Sequence, residues 1–322
     1  MDKALVIFIA DDYFKKELPK VLPGYDIIFN EGEDAARIHP DTARDITIIF
    51  GNPTGDLIKL CPRLAWVQLQ SAGTDGYVNG EIGPDVLLTC ATGGYGHGVS
   101  EHMVAVTFQI VKRLHLYRDE QGKSHWQPRG RVKSILGSTV LVIGLGDIGL
   151  EYAWRMKALG THVIGLRRTA QPKPDCVDEV YLTEKLDELL PRADIVALAL
   201  PGVKDTEGII GKGQLAKMKE GAVIVNCGRG SAIDTEALCD ALESGHILGA
   251  GLDVTMPEPL PEGHRLWKLE GAVITPHVAG GRNMPETWQH IMKLNLENAG
   301  RFIKGEQMAS LVDRKTGYRI SN

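Results

Sequence analysis

The stretch Thr139-Val-Leu-Val-Ile-Gly144-Leu-Gly146-Asp-Ile-Gly149 is an apolar run that ends in three spaced glycines and leads into Leu150-Glu-Tyr-Ala-Trp-Arg-Met-Lys-Ala-Leu159. Val140 to Ile143 read as a buried strand, and the later segment carries apolar residues at about every third or fourth position, as a helix does. Glycines alone also mark ordinary turns, so the pattern takes its weight from the strand before it and the helix after it. In such a unit the first glycine permits the turn, the second lets backbone approach a pyrophosphate, and the third lets helix pack on strand. The free N–H groups at the helix start then serve the phosphates. A dinucleotide site is therefore predicted at Gly144, Gly146, Asp147, Ile148 and Gly149.

Working outward, the same alternation recurs along the chain. Before this stretch, Leu5 to Ile9, Asp26 to Phe29, Ile46 to Phe50, Ala65 to Leu69 and Val86 to Thr89 read as strands. After it come His162 to Leu166, Ile195 to Leu200, Ala222 to Asn226, Ala250 to Val254 and Ala272 to Thr275. Strands alternating with helical segments predict an α/β protein with parallel sheets. Ser100 to Tyr117 reads as one interdomain helix, and a last helix starts at Asn283, a plausible cap with Glu286 three residues on. That helix returns the chain to the first domain. The predicted organisation is a substrate domain of residues 1–99 and 283–322, with a cofactor domain of residues 100–282 inserted into it.

Composition fits this reading. The 322 residues, 43% hydrophobic and 24% charged, suit two globular domains. A formal net charge of −5 leaves no global basic field, which argues against nucleic acid as the main partner. No apolar stretch approaches the roughly 20 residues of a membrane span, and the N-terminal apolar segment meets acids too soon for a signal peptide, so a cytoplasmic protein is expected. The five cysteines, Cys61, Cys90, Cys176, Cys227 and Cys239, form no C-x-x-C pair, so neither a zinc site nor a disulfide framework is expected.

Three later strand ends carry chemistry. Arg229 stands among glycines in Val225-Asn-Cys-Gly-Arg-Gly230, where it has no core to cover. Strand carboxyl ends bind ligands in open α/β sheets, and a guanidinium fork matches a carboxylate. Glu258 lies between two prolines in Asp253-Val-Thr-Met-Pro-Glu-Pro259, and His277 follows a strand in Thr275-Pro-His-Val-Ala-Gly-Gly281. Singly these read as a surface arginine, a solvated loop acid and a structural histidine. Together they fit hydride chemistry: charge that develops on a carbonyl oxygen needs a proton donor near neutral pH, a carboxylate behind the imidazole favours the imidazolium, and an arginine holds the substrate.

With Gln70-Ser-Ala-Gly-Thr-Asp75 added, the order of these motifs resembles that of the D-isomer-specific 2-hydroxyacid dehydrogenases over nearly the whole chain, and glyoxylate and hydroxypyruvate reductases in particular in the closing 298–318 segment. The resemblance implies two parallel-sheet domains, Rossmann-like and flavodoxin-like, and reversible reduction of a small 2-keto acid to a D-2-hydroxy acid. It assigns Arg229 to substrate binding, His277 to proton transfer, Glu258 to support of the histidine, and the N–H groups of Ala72 and Gly73 to the substrate carboxylate. It also sets Leu200, Pro201, Cys227 and Gly228 along the cofactor and Asp253 at the nicotinamide carboxamide, although an aspartate at a strand end can equally cap a turn. Trp126 matches a loop tryptophan that reaches the neighbouring subunit in similar dimers, so a homodimer is implied. Ala91-Thr-Gly-Gly-Tyr-Gly-His-Gly98 departs from the commonest family form, which leaves Tyr95 and His97 without an assigned role.

The type of cofactor turns on the end of the second strand of the cofactor domain. NAD enzymes of this fold carry an acid there, about 20 residues past the glycines, for the adenosine ribose. Here the segment is Leu166-Arg-Arg-Thr169. Arg167, Arg168 and Thr169 suit a 2′-phosphate, so NADP is preferred with NAD possible; the bland reading is two solvated loop arginines. A nucleotide-sensing protein without proton chemistry is the competing function. A formate dehydrogenase is disfavoured, because its hydride transfer does not use this proton relay.

Overall fold

The computed structural model describes all residues except 32–37, 79, 81, 282–283 and 321–322. The chain forms two compact units, residues 1–95 with 284–322 and residues 96–283. The first unit opens with β1 (Lys3–Val6), α1 (Asp12–Val21), β2 (Asp26–Phe29), α2 (Pro40–Ala43), β3 (Ile46–Phe50), α3 (Gly55–Leu60), β4 (Trp66–Gln68) and β5 (Leu87–Thr89). Side-chain caps start its helices: Asp11 accepts from Phe14 N at 2.7 Å and Thr54 from Leu57 N at 3.3 Å. Each such cap contributes about 1 kcal/mol.

The second unit contains α4 (Gly96–Val111), α5 (Leu114–Gly122), β6 (Thr139–Ile143), α6 (Asp147–Ala158), β7 (His162–Arg167), β8 (Glu179–Leu182), α7 (Leu186–Leu189), β9 (Ile195–Leu198), α8 (Lys212–Lys217), β10 (Ala222–Asn226), α9 (Thr235–Glu243), β11 (Ile247–Leu252) and β12 (Ala272–Ile274). The chain then re-enters the first unit as α10 (Pro285–Lys304), where Ile291, Met292 and Ala299 join the core around Phe14, Phe50 and Trp66. The second unit is thus inserted into the first.

Both sheets are parallel. The first has the order β2-β1-β3-β4-β5, that of flavodoxin-like folds, and the second β12-β11-β10-β9-β6-β7-β8, the dinucleotide-binding order extended by one strand. Val140, Leu141, Val142 and Ile143 of β6 are all at most 1% exposed, and burial of such side chains contributes about 1.5–3 kcal/mol each. Because β6 pairs with both β7 and β9, the order reverses there. A ligand crevice is expected outside the carboxyl ends of strands at such a switch point.

Several expectations need correction. The first strand ends at Val6 rather than Ile9. The strand expected at Ala250–Val254 starts earlier, at Ile247, and ends at Leu252. Strand β8 was not foreseen: all four residues are half-buried at the sheet edge, so no continuous apolar run marks it. The single helix expected over Ser100 to Tyr117 is two, broken where Arg113 takes a left-handed φ of 54° and donates to the carbonyls of Arg131 at 3.1 Å and Arg129 at 3.0 Å. No glycine or proline announces that break. The α4 helix begins at Gly96, so the expected boundary at 99/100 falls inside it. The proposed cap Asn283 lies outside the described residues; α10 begins at Pro285 with Met284 before it.

Candidate active site

In the second unit the three glycines differ in the way their spacing suggests. Gly144 has φ +98°, and a Cβ on it would meet Ala199 O at 2.6 Å; one on Gly149 would meet Gly144 O at 1.8 Å. A Cβ on Gly146 would meet nothing within 4 Å, and no side chain caps α6 there. The turn is therefore closed at its two ends and open in the middle, next to N–H groups at the start of a helix. That cradle fits a pyrophosphate. The Asp147 carboxylate turns away from this role and accepts from Gly96 N at 2.9 Å, so only the backbone of Asp147 and Ile148 is left to the cofactor turn.

The strand ends beside it close up on one another. A Cβ on Gly228 would stand 2.6 Å from Leu200 O and 3.4 Å from Ala199 C, so this glycine lies against the Ala199-Leu200 backbone. Asn226, 1% exposed, braces the turn by accepting from Gly228 N at 3.0 Å and donating to Arg229 O at 2.9 Å. Asn226 was missed by sequence reasoning, and its only signal was a polar residue closing the apolar run Ala222 to Val225. Cys227 is buried, and burial pushes its thiol well above the usual range, which suits a small packing residue rather than a nucleophile. Arg229 Nη1 donates to Gly228 O at 2.9 Å. At Gly230 a Cβ would lie 1.9 Å from Thr255 O, so the loop with Arg229 presses on the loop that carries Glu258.

Glu258 and His277, 19 residues apart, meet: Nδ1 of His277 lies 2.6 Å from Glu258 Oε1. A carboxylate only accepts, so Nδ1 carries the proton of this contact. The His277 side chain is 50% exposed. Its backbone adopts φ 54°, unusual for a residue other than glycine, and such strain persists only where the surroundings impose it. Asp253 imposes it here. Asp253 is 3% exposed; its carbonyl accepts from His277 N at 2.9 Å, and its carboxylate from Thr275 Oγ1 at 2.6 Å, Val278 N at 2.9 Å and Ala279 N at 3.0 Å. The Asp253 side chain thus fixes the loop that bears His277, the turn-capping alternative to a carboxamide contact.

At the end of β7, Arg167 donates to the carbonyls of Gln171 and Pro172, while Arg168 and Thr169 are exposed. In the other unit, Ser71 Oγ donates to Gly73 O at 2.6 Å and Asn52 Nδ2 to Ser71 Oγ at 3.0 Å, which stiffens the 71–73 turn. Among the described residues the N–H groups of Ala72 and Gly73 have no protein acceptor. Tyr95 donates to Gln70 O at 2.8 Å, His97 Nδ1 lies 2.8 Å from Arg155, and Trp126 is fully exposed. Among the described residues no His, Cys, Asp and Glu cluster is arranged to hold a metal ion, and no helix is long and apolar enough to cross a membrane.

Residues 104–279 match the model of the D-isomer specific 2-hydroxyacid dehydrogenase NAD binding domain. The chain belongs to that family. It is 34% identical over 84% of its length, and 89% of the relative's, to the uncharacterized protein in the proB 3′ region of Corynebacterium melassecola. It is 29% identical to the glyoxylate reductase of Thermofilum pendens, over 90% of this chain and 89% of that one. Among solved structures, a D-isomer specific 2-hydroxyacid dehydrogenase from Xanthobacter autotrophicus Py2, in complex with NADPH and MES, superimposes with a TM-score of 0.83 at 28% identity, covering 99% of this chain and 100% of that one. This family member is accordingly an oxidoreductase with a nicotinamide cofactor.

Proposed function

We propose that the protein reduces a small 2-keto acid of the glyoxylate or hydroxypyruvate class to the D-2-hydroxy acid, with NADP as the preferred cofactor. The observation that carries this reading is the 2.6 Å contact between His277 Nδ1 and Glu258 Oε1, set among the same strand ends as the open glycine turn. When bound, the reduced nicotinamide supplies the hydride. His277 gives its Nε2 proton to the substrate oxygen as negative charge develops there, and Glu258 holds the ring through Nδ1 during the transfer. Arg229 takes the substrate carboxylate and polarises the carbonyl, with Ala72 and Gly73 as further donors to the carboxylate. A nucleotide sensor has no need of a bonded His277–Glu258 pair, which favours the enzyme. Exposed Trp126 supports a homodimer.

The NADPH complex of the Xanthobacter relative supports the cofactor preference, as does Leu166-Arg-Arg-Thr169. Arg167, Arg168 and Thr169 are the residues assigned to the 2′-phosphate, and Arg167 also donates to the carbonyls of Gln171 and Pro172. Titration of both reduced cofactors tests this. Wild type should bind NADPH more tightly than NADH, and Arg168→Ala should weaken NADPH about tenfold, the equivalent of one charge-assisted contact, while NADH hardly moves. Tighter NADH binding by wild type, or equal losses for both cofactors in the variant, would reject the assignment.

A further inference from the structure

Helix α4 lies on β11 with a spacing that neither the glycine turn nor the catalytic pair requires. A Cβ on Gly249 would stand 2.6 Å from Cγ2 of Ile110, and one on Gly251 3.0 Å from Cγ2 of Val106. Residues 110 and 106 are one step of four along the helix, about 6 Å of rise; residues 249 and 251 are one step of two along the strand, about 6.6 Å. The next step brings His102 to Asp253. The two glycines let the helix settle close to the strand, and at the strand's end a titratable side chain arrives.

His102 Nε2 lies 3.0 Å from Thr275 Oγ1 and 3.9 Å from Asp253 Oδ1. The single hydroxyl hydrogen of Thr275 goes to Asp253 Oδ1 at 2.6 Å, so toward His102 the oxygen offers a lone pair and Nε2 must carry the proton. The chain of contacts continues from Asp253 to the N–H groups of His277, Val278 and Ala279. His102 therefore stands behind the loop that holds His277 in its left-handed conformation.

We propose that His102 is a positioning residue for proton transfer: by donating to Thr275 it fixes the hydroxyl on Asp253, and through Asp253 it holds the backbone that aims His277. The inference rests on the assignment of His277 as proton donor. A simple packing role would need only the volume of the imidazole, whereas this one needs its Nε2–H. Glutamine can set an amide donor near that point; leucine fills the space without one.

The test is steady-state reduction, with NADPH, of whichever of glyoxylate and hydroxypyruvate wild type turns over faster, by His102→Leu and His102→Gln, together with NADPH titration and thermal melting. The leucine variant should lose about ten- to a hundredfold in kcat, the scale of a small misplacement of a reacting group, with KM and NADPH affinity little changed. The glutamine variant should recover most of the loss. Wild-type kcat in His102→Leu, or equal losses in both variants, would overturn the inference. Should His102→Leu fail to fold, Thr275→Val against Thr275→Ser asks the same question: the serine should keep turnover that the valine loses, and equal turnover overturns the proposal. An active His277→Ala enzyme would sink the underlying assignment; an inactive one beside a fully active His102→Leu would sink this inference alone.

Discussion

Replacement of His277 by alanine should lower kcat for 2-keto acid reduction about a thousandfold, within the range that a positioned general acid contributes, while NADPH affinity stays near wild type. In the proposed relay Nε2 of this ring is the exchanging atom, because Nδ1 is committed to Glu258 at 2.6 Å. Alanine also sits poorly at φ 54°, so His277→Asn, which tolerates the left-handed region, is the companion variant. It should lose as much turnover with less effect on melting. Glu258→Gln separates the partner's role from the donor's. Without the carboxylate the ring loses the contact that holds its Nδ1, so kcat should fall while NADPH affinity stays near wild type. Near-wild-type turnover in His277→Ala, or in Glu258→Gln, would contradict the relay.

Arg229→Lys should be more harmful than its retained charge suggests. The arginine leaves a turn whose backbone Asn226 pins at Gly228 N and Arg229 O. Lysine offers one compact ammonium and cannot make two parallel hydrogen bonds to a carboxylate. Two charge-assisted contacts of about 1.5–3 kcal/mol each, one of them kept, put the loss in kcat/KM at about tenfold to a hundredfold. The loss should appear with every 2-keto acid, since the carboxylate is their common group. Equal efficiency in the two proteins would rule out bidentate recognition at this position.

How much of this could be read from the chain depended on how local each cause was. The β6 turn was legible because strand, glycines and helix are contiguous, and each glycine meets a neighbour, or open space, within the same unit. The His277 and Glu258 pair was legible only as types of residue at strand ends; their meeting depends on β11 and β12 being neighbours, which no spacing states. Side-chain commitments were less visible. Nothing in Leu166-Arg-Arg-Thr169 distinguishes Arg167, held by two carbonyls, from its exposed neighbour. Asp147 lies in the cofactor motif, yet its carboxylate serves Gly96, 51 residues away. His102 stayed hidden because its partners arrive from β11 and from the loop after β12, and only the paired spacing of Gly249 and Gly251 under Ile110 and Val106 hints at where it lands.

The central claim is that this site delivers a hydride and a proton to one face of a 2-keto acid. Hydroxypyruvate tests it most directly, because its product has a hand and glycolate does not. Wild-type protein incubated with hydroxypyruvate and NADPH, with the glycerate resolved by chiral chromatography, should yield D-glycerate, one molecule for each NADPH consumed. L-glycerate, or tight NADPH binding with no reduction of hydroxypyruvate or glyoxylate, would contradict the account.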